Sequence, residues 1–359
     1  MSSFSNRRNN INKYNLIKKE IIVKYINENK KRLLSENKKR LRSIRNNIWL
    51  WEDKENIDNV EMTVALPSLK GSNIIWLALE SLKNQIDIDF QWELIVLEER
   101  GDSLDIVKSY KELLPGCVRI IFKTLKNGDG IFNTKYLKNN GFPSYYTLLE
   151  KWVNSALLAD KNSKIFVKHA VDCYSPPKRL YIHYKHFQNK DCYYSTQPKG
   201  YFYNIKDNKY FLYNGNKIEP RKMDHYFKKY QLKTKKYINN KSVKYRSCHL
   251  NMALSLNIMK KIPLKLIKRG IDGYILSYVS SITGIRMEEK KIIYTDDEIC
   301  KDNWKYSLDT DGYNNISLSR KKYYYNSLKQ SPQCIPTKNE NVNHNVPEYI
   351  LERLKNLNK

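Results

Sequence analysis

The chain has 359 residues, 41% of them apolar, enough for one large or two ordinary domains with a sizeable core. It holds no apolar run of about 18 residues that would predict a membrane-spanning helix, and its opening MSSFSNRRNN lacks the apolar centre of a secretory signal, so a cytoplasmic protein is expected. A net charge of +28 raises a nucleic-acid partner, but Lys, Asn, Ile and Tyr abound throughout, and a large virus or other AT-rich genome would supply much of that basicity through codon bias alone. Six cysteines without a CxxC pair read as free thiols of a reducing compartment.

Residues 12–50 read as a basic helix, with Leu34, Leu41 and Ile48 spaced by seven and Ile44 between them. Residues 1–58 carry 15 Lys/Arg and 7 Asp/Glu, a net +8. A solvated helix laid on the main domain explains them; a membrane-surface or polyanion-binding arm is the alternative. Residues 51–59 read as a linker.

From Val60 the texture changes. VEMTVALPSL is a strand ending at Pro67-Ser68, and Ile75, Ala78, Leu79 and Leu82 then form one face of a helix. FQWELIVLEE is a second strand that stops at Glu98-Glu99, followed by a helix over 103–114 with Asp102 or Ser103 as its cap. CVRIIFKTL is a third strand, and a loop rich in Asn and Gly follows it. A long helix is expected over 143–160, with Leu149, Trp152, Val153, Ala156 and Leu157 on one face, and KIFVKH is a fourth strand.

Alternating strands and crossover helices predict an α/β fold: a mostly parallel sheet with helices on both faces. Ligands then bind along the edge where the strands end. Here those ends carry Pro67-Ser68, Glu98-Glu99, Leu125-Lys126 and the turn from His169 to Asp172.

Residues 178–260 hold 19 Lys/Arg against 4 Asp/Glu, a net +15. Within them the turn signals KDN and NGN, between Tyr- and Phe-rich runs, predict a β-meander over 200–220. Residues 248–260 are expected to be helical. A further helix offers Ile271, Ile275, Tyr278, Val279 and Ile282 as its apolar face, with Asp272 in its first turn. The chain turns polar near residue 288 and ends in a short amphipathic helix over 347–357.

Several motifs are missing. The first strand runs into LPSLKGSN rather than GxGxxG, and neither GxxxxGK[ST] nor GxSxG occurs. His183 and His186 read as surface histidines, since no Cys or carboxylate is spaced to complete a zinc site with them. Glu98-Glu99 is either a solvated loop start or an acceptor for the base or ribose of a nucleotide. Asp172 either caps the helix beginning near Pro177 or holds a hard divalent cation, which favours oxygen ligands. Asp272 is either an N-terminal cap or a carboxylate placed to take a proton from a hydroxyl.

Taken together, these stretches resemble the family-2 glycosyltransferases, the inverting nucleotide-sugar enzymes of the GT-A fold. TVALPSLKGSNIIWLALESLKNQ resembles the family's opening strand, turn and helix; LIVLEERGDS resembles its strand ending in two acids; HAVDCYSPPKRL resembles its metal-binding Asp-x-Asp segment. NMALSLNIMKKIP followed by GIDGYIL is similar to the segment that ends in the catalytic base. The chain differs in having Glu-Glu for the usual Asp-Asp, Ala170 or Val171 for one Asp of Asp-x-Asp, Val153 for an arginine, and Ile271 for an acid before the base.

The resemblance implies a GT-A domain over 59–287, with a nucleotide-binding half at 59–180 and an acceptor half at 181–287. A basic helical extension at 1–58 and a polar one at 288–359 lie outside it. It also implies that Pro67, Ser68, Glu98 and Glu99 border the nucleotide, that Asp172 and His169 hold Mn²⁺ or Mg²⁺ on the diphosphate, and that Asp272 is the base. The expected donor is a nucleotide sugar, with UDP as its nucleotide, and the acceptor is a hydroxyl of a glycan or protein. Two alternatives stay open: a non-catalytic nucleic-acid-binding protein, which no nucleic-acid motif supports, and a degenerate transferase fold kept as a scaffold.

Overall fold

The computed structural model describes residues 48–54, 59–68, 74–127, 130–139, 146–171, 173–175, 177–188, 192–196, 199–204, 209–214, 252–267, 271–283, 293–294, 334–337, 349–350 and 352–353. The chain divides into two compact units, Met1–Asn46 and Asn47–Lys359, and all the described residues belong to the second. The helix expected before Ile48, the KDN and NGN turns and most of the polar C-terminal stretch lie outside the described residues.

Four parallel strands form the centre: β2 (Val60–Pro67), β3 (Gln91–Glu98), β4 (Cys117–Thr124) and β5 (Ile165–Lys168). They stand in the order β4-β3-β2-β5. β1 (Ile48–Glu52) closes one edge antiparallel to β4. On the other side β9 (Met252–Ser255) runs antiparallel to both β5 and β6 (Tyr194–Thr196), and β10 (Ile293–Tyr294) pairs beyond β6. A separate sheet joins β7 (Lys199–Asn204) and β8 (Lys209–Asn214) as an antiparallel pair, with β11 (Cys334–Thr337) against β7. The protein is therefore a mixed α/β fold with a mostly parallel main sheet, as the alternation of elements predicts.

Side chains alternate across a strand, so each central strand feeds two cores. Met62, Val64 and Leu66, with Ile165, Val167 and Ala253, face one core with α1 (Ile75–Lys83), α2 (Leu104–Ser109) and α5 (Arg179–Phe187). Ala65, Phe166, Met252 and Leu254 face the other, with α4 (Leu148–Leu158), α6 (Leu256–Met259) and α7 (Ile271–Thr283). The predicted face of α1 is fully buried, and each such aliphatic side chain contributes about 1.5–3 kcal/mol by leaving water. A short helix, α3 (Thr134–Asn139), interrupts the loop after β4. Among the described residues no helix is long and apolar enough to cross a membrane.

Three expectations need correction. Residues 48–52 are a strand, not the end of a helix and a linker: in IWLWE, Trp49 and Trp51 pack on one core while the backbone pairs with β4. Of the described residues in the stretch expected to be helical, 252–255 are a strand and 256–259 are helical, because Met252 and Leu254 fill one core and Ala253 the other. His183 and His186 are not surface groups. His183 is fully buried, and both Nδ1 atoms lie 2.9 Å from Ser195 Oγ, whose one proton serves one ring while its lone pair accepts from the other.

Burial pushes His186 down to about 4 from an ordinary 6.5. A histidine held neutral in the fold contributes stability that is complete above the ordinary value. That contribution is lost as the pH falls through the depressed one. The urea midpoint should therefore drop between pH 6.5 and 4, and His186→Gln should flatten the slope in that window.

The far end of the chain returns to α1. Ile350 is buried, Arg353 stacks over the Trp76 ring at 4.1 Å, and Tyr349 donates its hydroxyl to Glu80 at 2.9 Å. Tyr110 donates to the other oxygen of Glu80 at 2.6 Å. Burial pushes this carboxyl up, but the two tyrosine hydrogen bonds and the ammonium of Lys83 together outweigh it and hold it below its ordinary value.

Candidate active site

Past the last paired residues, the strands stay in step along the C-terminal edge. The Ser68 amide donates to the Leu97 carbonyl at 2.9 Å, Leu125 to Glu98 at 2.6 Å and His169 to Ala65 at 2.9 Å. This rim receives side chains from β2, β3, β5, α4 and α7.

The two acids that end β3 go different ways, as alternation requires. Glu98 is fully buried and accepts from the backbone amide of Ser103 at 3.0 Å and from its hydroxyl at 2.7 Å. It fixes the turn into α2. Between them Gly101 adopts φ +84°, and a Cβ there would meet Thr124 Oγ1 at 2.8 Å, so a glycine is needed for the turn. Glu99 instead reaches Lys151 of α4, with Nζ 2.6 Å from Oε1.

Lys151 is fully buried and also donates to the Ser68 carbonyl at 2.6 Å. Burial pushes its ammonium down, and the pull of Glu99 opposes the shift. Lys151 thus ties the ends of β2 and β3 to α4, a helix that is buried from Leu149 through Ala156. Thr147 caps that helix by accepting from the Glu150 amide. Ser68 Oγ and Trp152 Nε1 are buried and, among the described residues, have no hydrogen-bond partner.

Next to Lys151, Trp152 lies under the ammonium of Lys168, 4.0 Å from its ring centroid. Lys168 is the last residue of β5, and its Nζ makes an ion pair with Asp272 in the first turn of α7. The lysine side chain is 7% exposed and the Asp272 side chain 25%, so the pair opens to solvent on the carboxylate side. Lys151 thus joins Ser68 and Glu99, Lys168 joins Asp272 to the end of β5, and Trp152, next to Lys151 in sequence, lies under Lys168.

His169 lies behind this surface, fully buried. Its Nδ1 is 2.9 Å from the Ala170 carbonyl, which can only accept, so Nδ1 carries the proton. Nε2 lies 3.0 Å from Ser175 Oγ and 3.2 Å from Ser81 Oγ. Ser81 spends its proton on the Ala78 carbonyl, so Ser175 donates to Nε2 while accepting from Arg179 at 2.7 Å. The buried guanidinium of Arg179 also holds the Lys168 carbonyl. With both ring nitrogens committed, His169 does not fit the metal-ligand role expected of it; it buttresses the turn. Asp172 lies outside the described residues. Among the described residues no group of three or more His, Cys, Asp and Glu side chains could hold a metal ion.

Sequence reasoning missed Lys151, Lys168 and Arg179. One signal was available for the first: LLEKWVNSALL has apolar residues all round its helix, and a charge carried on a helix with no solvent face must find a buried partner.

No protein-family model matches the chain, and no curated protein does. Among solved structures, the chain is similar to S. aureus TarS 1-349 in complex with UDP-GlcNAc, at 12% identity and a TM-score of 0.37, over 82% of this chain and 70% of that one. It is similar to mouse xyloside xylosyltransferase 1 at 10% identity and a TM-score of 0.36, over 81% of this chain and 100% of that one. For core-mannan synthase A from Aspergillus fumigatus in its Mn/GDP form the values are 9% and 0.33, over 69% of this chain and 78% of that one. The match to a longer TarS structure spans only 21% of it. The fold class rests on strand order and register rather than on these likenesses.

Proposed function

We propose that the chain is an inverting glycosyltransferase of the GT-A type. It would move a sugar from a nucleoside-diphosphate sugar, with UDP as the expected nucleotide, to a hydroxyl of a glycan or protein. The observation that carries this reading is the part-exposed Asp272 carboxylate, held by Lys168 at the C-terminal rim of a parallel sheet. Such rims bind ligands in this architecture, and a carboxylate there can act as a general base.

In the proposed reaction Asp272 takes the proton of the acceptor hydroxyl. The acceptor oxygen bonds to the anomeric carbon as the bond to the diphosphate oxygen breaks on the opposite face. The sugar passes through an oxocarbenium-like state and inverts, and the nucleoside diphosphate leaves with the bonding electrons. Pro67, Ser68 and Glu99 border the nucleotide, while Glu98 shapes the turn beside it. Residues 59–180 form the donor half and 181–287 the acceptor half. Asp172 is the expected metal ligand in this reading.

Thermal-shift titration with UDP, GDP and their sugars tests the donor. Binding at a hundredfold excess over Kd should stabilise the fold by about 2.7 kcal/mol. Stabilisation by one nucleotide, with release of that diphosphate when an acceptor is supplied, is the expected result. Binding without release in any acceptor mixture would assign a scaffold instead. Binding to polynucleotide alone, falling steeply with salt, would overturn the transferase reading.

A further inference from the structure

We infer that the donor diphosphate is held by a cation of the chain itself, Lys168, and that nucleotide binding requires no divalent metal ion. The inference rests on the glycosyltransferase reading and specifies how its donor site is charged.

Three observations carry it. Lys168 ends β5 one residue before the turn expected to bind metal, and its Nζ stands at the rim in contact with Asp272. An ammonium in that position supplies positive charge to a diphosphate and repels a divalent cation brought alongside it. Second, His169, the expected metal ligand beside it, gives Nδ1 to a backbone carbonyl and Nε2 to a serine hydroxyl that Arg179 anchors. Ligation through Nε2 would cost that hydrogen bond and leave the Ser175 hydroxyl to find another partner.

Third, the rim holds buried donors in want of acceptors. Among the described residues, Ser68 Oγ and Trp152 Nε1 have no partner, and an indole N–H can only donate. They belong to one chain of contacts: Lys151 bonds the Ser68 carbonyl, Trp152 follows Lys151 on α4, and Lys168 lies over the Trp152 ring. Buried polar atoms left unpaired are costly. A diphosphate, all acceptor oxygens at its bridging and terminal positions, offers partners of the right kind.

An ammonium has three N–H donors, and Asp272 occupies one direction. Lys168 can therefore bond a phosphate oxygen while it loosens its hold on Asp272. Donor binding would then turn the carboxylate from an ion-pair partner into the base facing the acceptor. Lys168 is a binding and positioning residue in this scheme.

Calorimetric titration of the full chain with UDP and with GDP, each in EDTA and in Mn²⁺, tests the inference. One nucleotide should bind with a Kd that differs by less than about threefold between the two conditions. Lys168→Met should weaken that binding by about tenfold or more, as expected for a lost charge-assisted hydrogen bond, and Lys168→Arg should restore most of it. Binding that appears only with Mn²⁺ overturns the inference and leaves the glycosyltransferase reading standing. So does Lys168→Met binding as tightly as the unmodified chain. If Lys168→Met fails to fold, the EDTA and Mn²⁺ arms on the unmodified chain still decide. No binding of any nucleoside diphosphate in either condition overturns the parent reading together with this one.

Discussion

Asp272→Asn should lower the turnover of sugar transfer by about 10²–10⁴-fold while leaving nucleotide binding in place. The amide has the size and shape of the carboxylate but cannot take the acceptor's proton. Its oxygen still accepts from Lys168, so the ammonium, 7% exposed, keeps a partner. The loss of the charged pair should cost only about 1–3 kcal/mol of stability, which a denaturant titration will separate from the effect on turnover. A single-turnover assay with labelled donor makes the measurement. Unchanged turnover in the Asn variant would remove Asp272 from the chemistry.

The second large effect concerns the support of the site. Lys151→Met should destabilise the fold by about 3–5 kcal/mol, because it strands one charge of a buried pair. Glu99, 6% exposed, would lose the ammonium of Lys151, and the Ser68 carbonyl would lose the N–H that Lys151 donates. The melting temperature should fall by roughly 10 °C, at a few degrees per kcal/mol for a domain of this size. Adding Glu99→Gln should recover part of the loss, since both members of the pair are then gone. An unchanged melting temperature in the single variant would show that the pair contributes nothing to stability.

How much of this could be read beforehand depended on whether the signal was local. β2, β3 and β4 are eight residues long, and their apolar runs announce them. β6 and β9, of three and four residues, are too short to carry a period, and pairing with each other and with β5 decides their state. β1 hid for a different reason: Ile48 completes a spacing of seven with Leu34 and Leu41, which masked the two-residue alternation of IWLWE.

The rim shows the same division. Placing Ser68, Glu99 and Asp272 near strand and helix ends needed only the order of elements. Distinguishing Glu98 from its neighbour needed the direction in which each side chain leaves the strand, and that direction sends one to Ser103 and the other to Lys151. Lys168 and Asp272 are 104 residues apart in sequence. In a chain with 65 Lys and Arg, no local pattern marks Lys168 as a lysine that turns inward.

The hydroxyl of Tyr349 reaches Glu80 across 269 residues of sequence. Helix α1 is among the first elements of its unit, yet one oxygen of its buried acid takes its partner from a residue 269 positions further along the chain. Long-range closures of this kind form late. The finished surroundings of α1, the helix that follows the Ser68 turn, therefore wait on a segment far along the chain, and a chain cut before Tyr349 would lose one of the two tyrosines that clasp that carboxylate.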